Sequence, residues 1–148
     1  MSDAQEDENV DRDLVASNLT RATTLIGSSM AVLTFLLFFL FPRYANGQID
    51  PILFHVTVSL VVLAIFSFGF SGICYYAIIG IPKMDSTRKL VYARRGDVFF
   101  VLGILFAVSE PAMILFTIGI VIVALIATAL LIIFTLFLLR QAKELGNR

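Results

Sequence analysis

The sequence predicts an all-α integral membrane protein: a four-transmembrane-helix bundle preceded by a short amphipathic N-terminal helix. Two observations carry that prediction. Val98 to Leu139 is an apolar run whose only ionised residue is Glu110, long enough for two crossings at about 20 residues each. Leu25 to Phe41 and Ile52 to Pro82 are two further apolar stretches upstream. Bulk composition agrees. Hydrophobic residues make up 59% of the 148, above the roughly 45–50% of a soluble domain. The excess needs lipid or neighbouring helices as its solvent, so the bilayer is the first expected partner.

Net charge is zero, and no global field attracts nucleic acid. The charges are segregated, however. Residues 1–12 hold Asp3, Glu6, Asp7, Glu8 and Asp11 against Arg12 and read as an acidic, disordered cytoplasmic tail. The remainder, 13–148, is expected to be one transmembrane domain with spans at about 22–41, 52–82, 98–116 and 120–139. Acidic residues precede the first span and Pro42, Arg43 and Tyr44 follow it, with no small-x-small cleavage site. Span one is therefore expected to stay in the mature protein.

From Asp13 to Arg21, the residues Leu14, Val15, Leu19 and Ala22 share one helical stripe opposite Arg12, Ser17, Asn18 and Arg21. That pattern predicts a surface-lying amphipathic helix that feeds span one. Pro42 is expected to stop the helix, and residues 43–48 are the most turn-like stretch of the chain. Span two opens on Asp50-Pro51, an acidic N-cap followed by proline at the first helical position. It runs about 31 residues, roughly 46 Å of helix, more than a 30 Å core needs. Lys83 to Asp97 is a polar connector with five basic residues, in which Asp85, Ser86 and Thr87 are expected to cap a short helix.

Two readings divide Val98 to Leu139. One turns at Thr117-Ile118-Gly119, gives two spans of about 20 residues, lets Asp97 cap span three, and leaves Glu110-Pro111 inside the membrane. The other turns at Ser109-Glu110-Pro111, a better turn by its chemistry, but it shortens span three and sinks Asp97. Span length favours the first. One pattern supports the second. At an offset of 60 residues, Asp50-Pro51, Thr57, Val61 and Ala64 match Glu110-Pro111, Thr117, Val121 and Ala124, as two repeated hairpins would. In both readings five basic residues fall in the middle connector, one in the first loop and none in the last. That places both termini and the connector in the cytoplasm, in a plasma or cytoplasmic membrane.

Helices in lipid associate by close backbone approach and interhelical hydrogen bonds. Small-xxx-small pairs occur in every apolar segment: Gly27/Ala31, Ser67/Ser71, Gly103/Ala107 and Ala124/Thr128. They serve packing within the chain or an interface with a second copy or another membrane protein. Span two is the most polar and is expected to face the interior. Tyr44, Tyr75, Tyr76 and Tyr92 suit interfacial belts.

Glu110 is the sharpest candidate for function, because an ionisable residue inside a span is a functional hypothesis by default. Pro111 has no N–H to give the carbonyl one turn earlier, which opens the backbone beside the carboxyl to water or a cation. The competing reading is a helix cap at the outer surface, since Ser-Glu-Pro is a good helix start. His55, the only histidine, falls near the outer interface if Asp50 caps the helix. Alone it cannot give bis-histidine haem, and a hydrogen-bonded interfacial role suits it. Asp50, His55, Arg43, Glu110 and Pro111 together form the candidate outer polar site. Lys83, Arg88, Lys89, Arg94 and Arg95 are candidate contacts for anionic lipid head groups. A single cysteine, Cys74, makes no intrachain disulfide or zinc site. No GxSxG, HExxH, Walker or CxxC motif is present, so neither a catalytic residue, a metal nor a cofactor is expected. The functional expectation is a non-enzymatic accessory or scaffold subunit, or a self-associating module. The alternative is a small transporter or proton- or ion-conducting oligomer that uses Glu110.

Overall fold

A computed structural model describes the backbone over residues 2–81 and 84–146 and the side chains over residues 13–81 and 84–137. All regular structure among the described residues is helical: α1 (Ser2–Phe35), a π-helical segment (Leu36–Leu40), α2 (Phe41–Ala45), α3 (Pro51–Gly80), α4 (Ser86–Thr117) and α5 (Val121–Gly146). Three helical stretches are long and apolar enough to cross a membrane, namely Asp13–Ala45, Pro51–Gly80 and Ser86–Thr117. Val121–Phe137 is a shorter apolar helix.

The first stretch differs from expectation at both ends. Residues 13–21 form no separate surface helix, because α1 runs through them without a break. The acidic segment 1–12 falls on residues whose side chains lie outside the described part. At the other end Pro42 does not stop the helix. Its ring has no N–H and would strike the carbonyl of residue 38 in α geometry. The preceding turn widens instead: the Phe41 N–H bonds to the Leu36 carbonyl, five residues back, and Pro42 enters α2 in its first turn. The chain then turns through Asn46 and Gly47, where φ is +69°, a left-handed conformation that glycine adopts without penalty.

α3 begins as its sequence foretells. The Asp50 carboxylate accepts hydrogen bonds from the Ile52 and Leu53 amides at 2.9 and 3.0 Å, and Pro51 stands at the first helical position. α4 begins much earlier than span three was placed. Asp85 stands at its N-cap position without a side-chain cap bond, and the helix continues through Gly96 and Asp97 to Thr117. Asp97 therefore caps nothing, and the connector holds the first three turns of a long helix rather than a short one. The last turn is at Ile118-Gly119, with Gly119 at φ +82°. This is the first of the two sequence readings, and Pro111 lies inside α4.

The helices pack as an antiparallel row: α1 on α3, α3 on α4, α4 on α5. α3 sits between two neighbours and buries ten of its residues, which bears out its interior placement. Leu36, Leu40, Ile49, Phe54 and Val61 form the core cluster at the loop end of α1 and α3. Further along the same pair, Gly72 lets Ala22 and Leu19 approach. α5 contributes little to the interior; among its described side chains Ala124 alone is buried.

Candidate functional site

The seam between α3 and α4 follows a seven-residue register. On α4 the buried residues Gly96, Gly103, Glu110 and Thr117 are spaced by seven; only Ala112 is buried off that series. On α3 the buried residues Tyr75, Phe68, Val61 and Phe54 run antiparallel with the same spacing. A repeat of seven keeps one stripe facing a partner along the whole helix. Contacts fix the alignment at two rungs. A Cβ placed on Gly96 would lie 3.0 Å from the Tyr75 ring, and one on Gly103 would lie 2.6 Å from the Phe68 ring. At Gly103 the Phe68 ring occupies the space a Cβ would take, and at Gly96 the Tyr75 ring would have to give by a few tenths of an ångström. Hydrogen bonds close the two ends of the seam. The Ser71 hydroxyl donates to the Gly96 carbonyl at 2.9 Å and the Tyr75 hydroxyl donates to Asp97. Tyr75 is thus a buried seam residue, not a belt residue; Tyr76 next to it faces outward.

At the loop end Thr57 and Thr117, both buried, lie 2.9 Å apart through their hydroxyl oxygens. Each is also within bonding distance of the carbonyl four residues back, Leu53 and Met113, at 2.8 Å. Two hydroxyl protons serve three contacts, so at most two of the three bonds exist at once. These threonines are one of the pairs matched at the 60-residue offset. They meet because α3 and α4 are antiparallel, not because two hairpins repeat: Asp50-Pro51 opens a helix, whereas Glu110-Pro111 lies within one.

Glu110 occupies the rung between Gly103 and Thr117, level with Val61 by the register. It is 4% exposed, and its Oε1 is enclosed without a hydrogen-bond partner. Val61 and Ala64, on the facing stretch of α3, are wholly buried. Glu110 is therefore not a cap at the end of a helix. Pro111 faces outward next to it.

The other members of the candidate outer site lie elsewhere. Asp50 serves as the α3 cap. His55 is exposed; its Nδ1 bonds to the Pro51 carbonyl, which can only accept, so Nδ1 carries the proton. Its ring meets Tyr44 edge-on at 5.5 Å. Arg43 is exposed on α2. These three gather around the loop end, while Glu110 sits two turns, about 10 Å, inward of Thr117 along α4. The structure brings Asp50, His55 and Tyr44 near one another and leaves Glu110 apart from them. In the basic group, Arg88, Arg94 and Arg95 are exposed and Lys89 is half-buried on the first turns of α4; Lys83 lies outside the described residues. Among the described residues no group of three or more His, Cys, Asp or Glu side chains is placed to hold a metal ion.

No protein-family model, curated protein or solved structure matches this chain.

Sequence reasoning singled out Glu110 but missed its setting. The signal lies in the seven-residue spacing of Gly96, Gly103, Glu110 and Thr117, which carries no run of polar residues to mark it.

Proposed function

We propose that this chain is a non-enzymatic multi-span membrane module that acts by packing against another helix, as an accessory or scaffold subunit of a membrane-protein partner or as a self-associating unit. One observation carries the reading. Three of the four small-xxx-small pairs have at least one member buried inside the chain: Ser67/Ser71, Gly103/Ala107 and Ala124/Thr128. The fourth faces outward. Thr20, Thr24, Gly27, Ala31 and Thr34 form one exposed stripe along α1, and nothing lies within 4 Å of a Cβ built on Gly27. The three threonine hydroxyls are satisfied by their own helix backbone. A stripe of small side chains admits a second helix closely. In this reading the chain crosses the membrane four times, and both termini and the basic connector face the cytoplasm, in agreement with the positive-inside distribution.

The test is Gly27→Leu on the full chain in mild detergent. The expected result is that the wild type runs as a defined oligomer or with a stoichiometric partner, and that the variant loses that association while its melting temperature holds. A monodisperse wild-type monomer that captures no partner would contradict the reading.

A second reading, a small transporter or proton- or ion-conducting oligomer, is favoured by the enclosed, unbonded Glu110. It expects Glu110→Gln to abolish proton-coupled flux in liposomes without loss of folding. Flux equal to that of the wild type removes it.

A further inference from the structure

The stripes that α1 and α4 turn toward α3 do not stop where α3 stops. On α4 the buried series Thr117, Glu110, Gly103 and Gly96 steps next to Lys89, which is half-buried. On α1, Leu36, Ser29 and Ala22 are buried at the same spacing and Val15 is half-buried; the next position in that series is Glu8. α1 and α4 both run antiparallel to α3, so they begin at the same end of the row. Two contacts set the levels there: Gly72 of α3 stands against Ala22, and Gly96 of α4 stands against Tyr75. Counted from these, Lys89 falls level with residue 82, past Gly80 at the end of α3, and with residue 12 of α1. Asp11 lies one residue beyond that level and Glu8 about one turn beyond it. With neighbours packed at 8–10 Å, the axes of α1 and α4 are at most about 20 Å apart, a gap that long side chains reaching from both stripes can bridge.

The two helix heads are of opposite charge. Residues 1–13 carry Asp3, Glu6, Asp7, Glu8, Asp11 and Asp13 against Arg12, whereas Lys83 to Arg95 carry five basic residues against Asp85. α3 offers Lys89 no acid anywhere from Pro51 to Gly80, and Asp97 is bonded to Tyr75. On its own helix Asp85 is the one acid within a turn of Lys89. The carbonyls that end α3 form the negative pole of that helix, which favours a cation over its end.

We propose that the acidic head of α1, through Asp7, Glu8 and Asp11, docks on the head of α4 at Lys89 and forms a charge clasp over the end of α3. The clasp ties α1 to α4, which share little other contact, and anionic lipid that reaches Lys89 competes with it. A single exposed ion pair contributes little; the clasp acts as several acids around one inward cation with Arg88 beside it, and it opens as salt rises. It lies within one chain and does not depend on association through Gly27.

The experiment treats the full chain in nanodiscs of neutral lipid with a water-soluble carbodiimide, which joins a carboxylate to an amine only where the two touch, and maps the links by mass spectrometry. Lys83, Lys89 and Lys143 are the only lysines, so the map is short. The expected result is a link from Lys89 to Asp7, Glu8 or Asp11 within a monomer, reduced several-fold in 1 M salt, where the Debye length is about 3 Å. Lys89→Glu should lower the melting temperature at low salt, and adding Glu8→Lys and Asp11→Lys should restore it. Links from Lys89 to Asp85 or Glu144 alone, links between copies, or no link at Lys89 would overturn the proposal. So would a link that 1 M salt leaves undiminished. A link that vanishes outright in discs containing anionic lipid would assign Lys89 to lipid and overturn it as well. Should Lys89→Glu fail to fold, the link map of the wild type still decides.

Discussion

Gly27 and Gly103 are both glycines of small-xxx-small pairs, yet they do opposite things. At Gly103 an added methyl group would meet the wholly buried Phe68 ring at 2.6 Å. The ring cannot swing away without opening the seam. Gly103→Ala is expected to destabilise the chain by about 1–3 kcal/mol, the usual cost of overpacking a tight core. Gly27→Ala meets nothing and should be neutral or stabilising by up to about 1 kcal/mol, since alanine is the better helix former. Thermal melting of both variants in one detergent checks the contrast; equal destabilisation would show that the α3–α4 register is wrong. The threonine pair is a second case at this scale. A double-mutant cycle over Thr57→Val and Thr117→Val should return a coupling of about 0.6 kcal/mol, the average for interhelical hydrogen bonds in membranes. It should not reach the value of two full bonds, because the shared protons already bond within each helix. A coupling of zero would mean that the hydroxyls do not meet.

At the scale of the helices, apolar length placed the elements well and local punctuation placed them badly. Asp50-Pro51 opened α3 as expected because cap and proline act in the same turn. Pro42 and Pro111 did not end helices. In lipid, a broken helix leaves backbone groups with no water to bond, so the chain keeps its helix and absorbs each proline, at Pro42 by a π-helical turn. Ser109-Glu110-Pro111 is good turn chemistry, and it lost to the same constraint. The Ser109 hydroxyl instead donates to the Leu105 carbonyl inside α4 at 2.7 Å. Gly96-Asp97 has the look of a helix start, yet both residues lie within α4, with Gly96 against the Tyr75 ring. Which face of each helix turns inward was legible for α3, whose polar residues mark it, and not for α4, where the inward stripe is two glycines, an acid and a threonine. Pro42→Ala supplies the missing N–H at that position. It should restore α geometry over residues 36–40 and protect the amide of residue 42 from hydrogen exchange. An unprotected amide would mean that the wide turn has another cause. The basic start of α4 should hold anionic lipid at about 1 kcal/mol per residue, so replacing Arg88, Lys89, Arg94 and Arg95 by Gln should lower the anionic lipid that co-purifies. Unchanged lipid content would leave those residues with no lipid role.

For the whole molecule, the row of helices matters more than any single contact. α3 is held from both sides, α1 and α4 each pack mainly on it, and α5 packs on α4, with Ala124 its one buried side chain among the described residues. An open row leaves long faces for lipid or for another helix, while Glu110, the one enclosed acid among the described residues, sits in the α3–α4 seam. The enclosed setting of Glu110 depends on the last turn lying at Ile118-Gly119, which keeps Glu110 inside α4. Single cysteines at three positions, Asp97→Cys, Glu110→Cys and Ile118→Cys, placed in a Cys74→Ser background, test that arrangement directly with an impermeant maleimide on oriented membranes. Position 97 should label from the face of the basic connector, position 118 from the opposite face, and position 110 from neither. Labelling at 110 as fast as at 118, from the same face, would put the turn at Ser109–Pro111 and contradict the account.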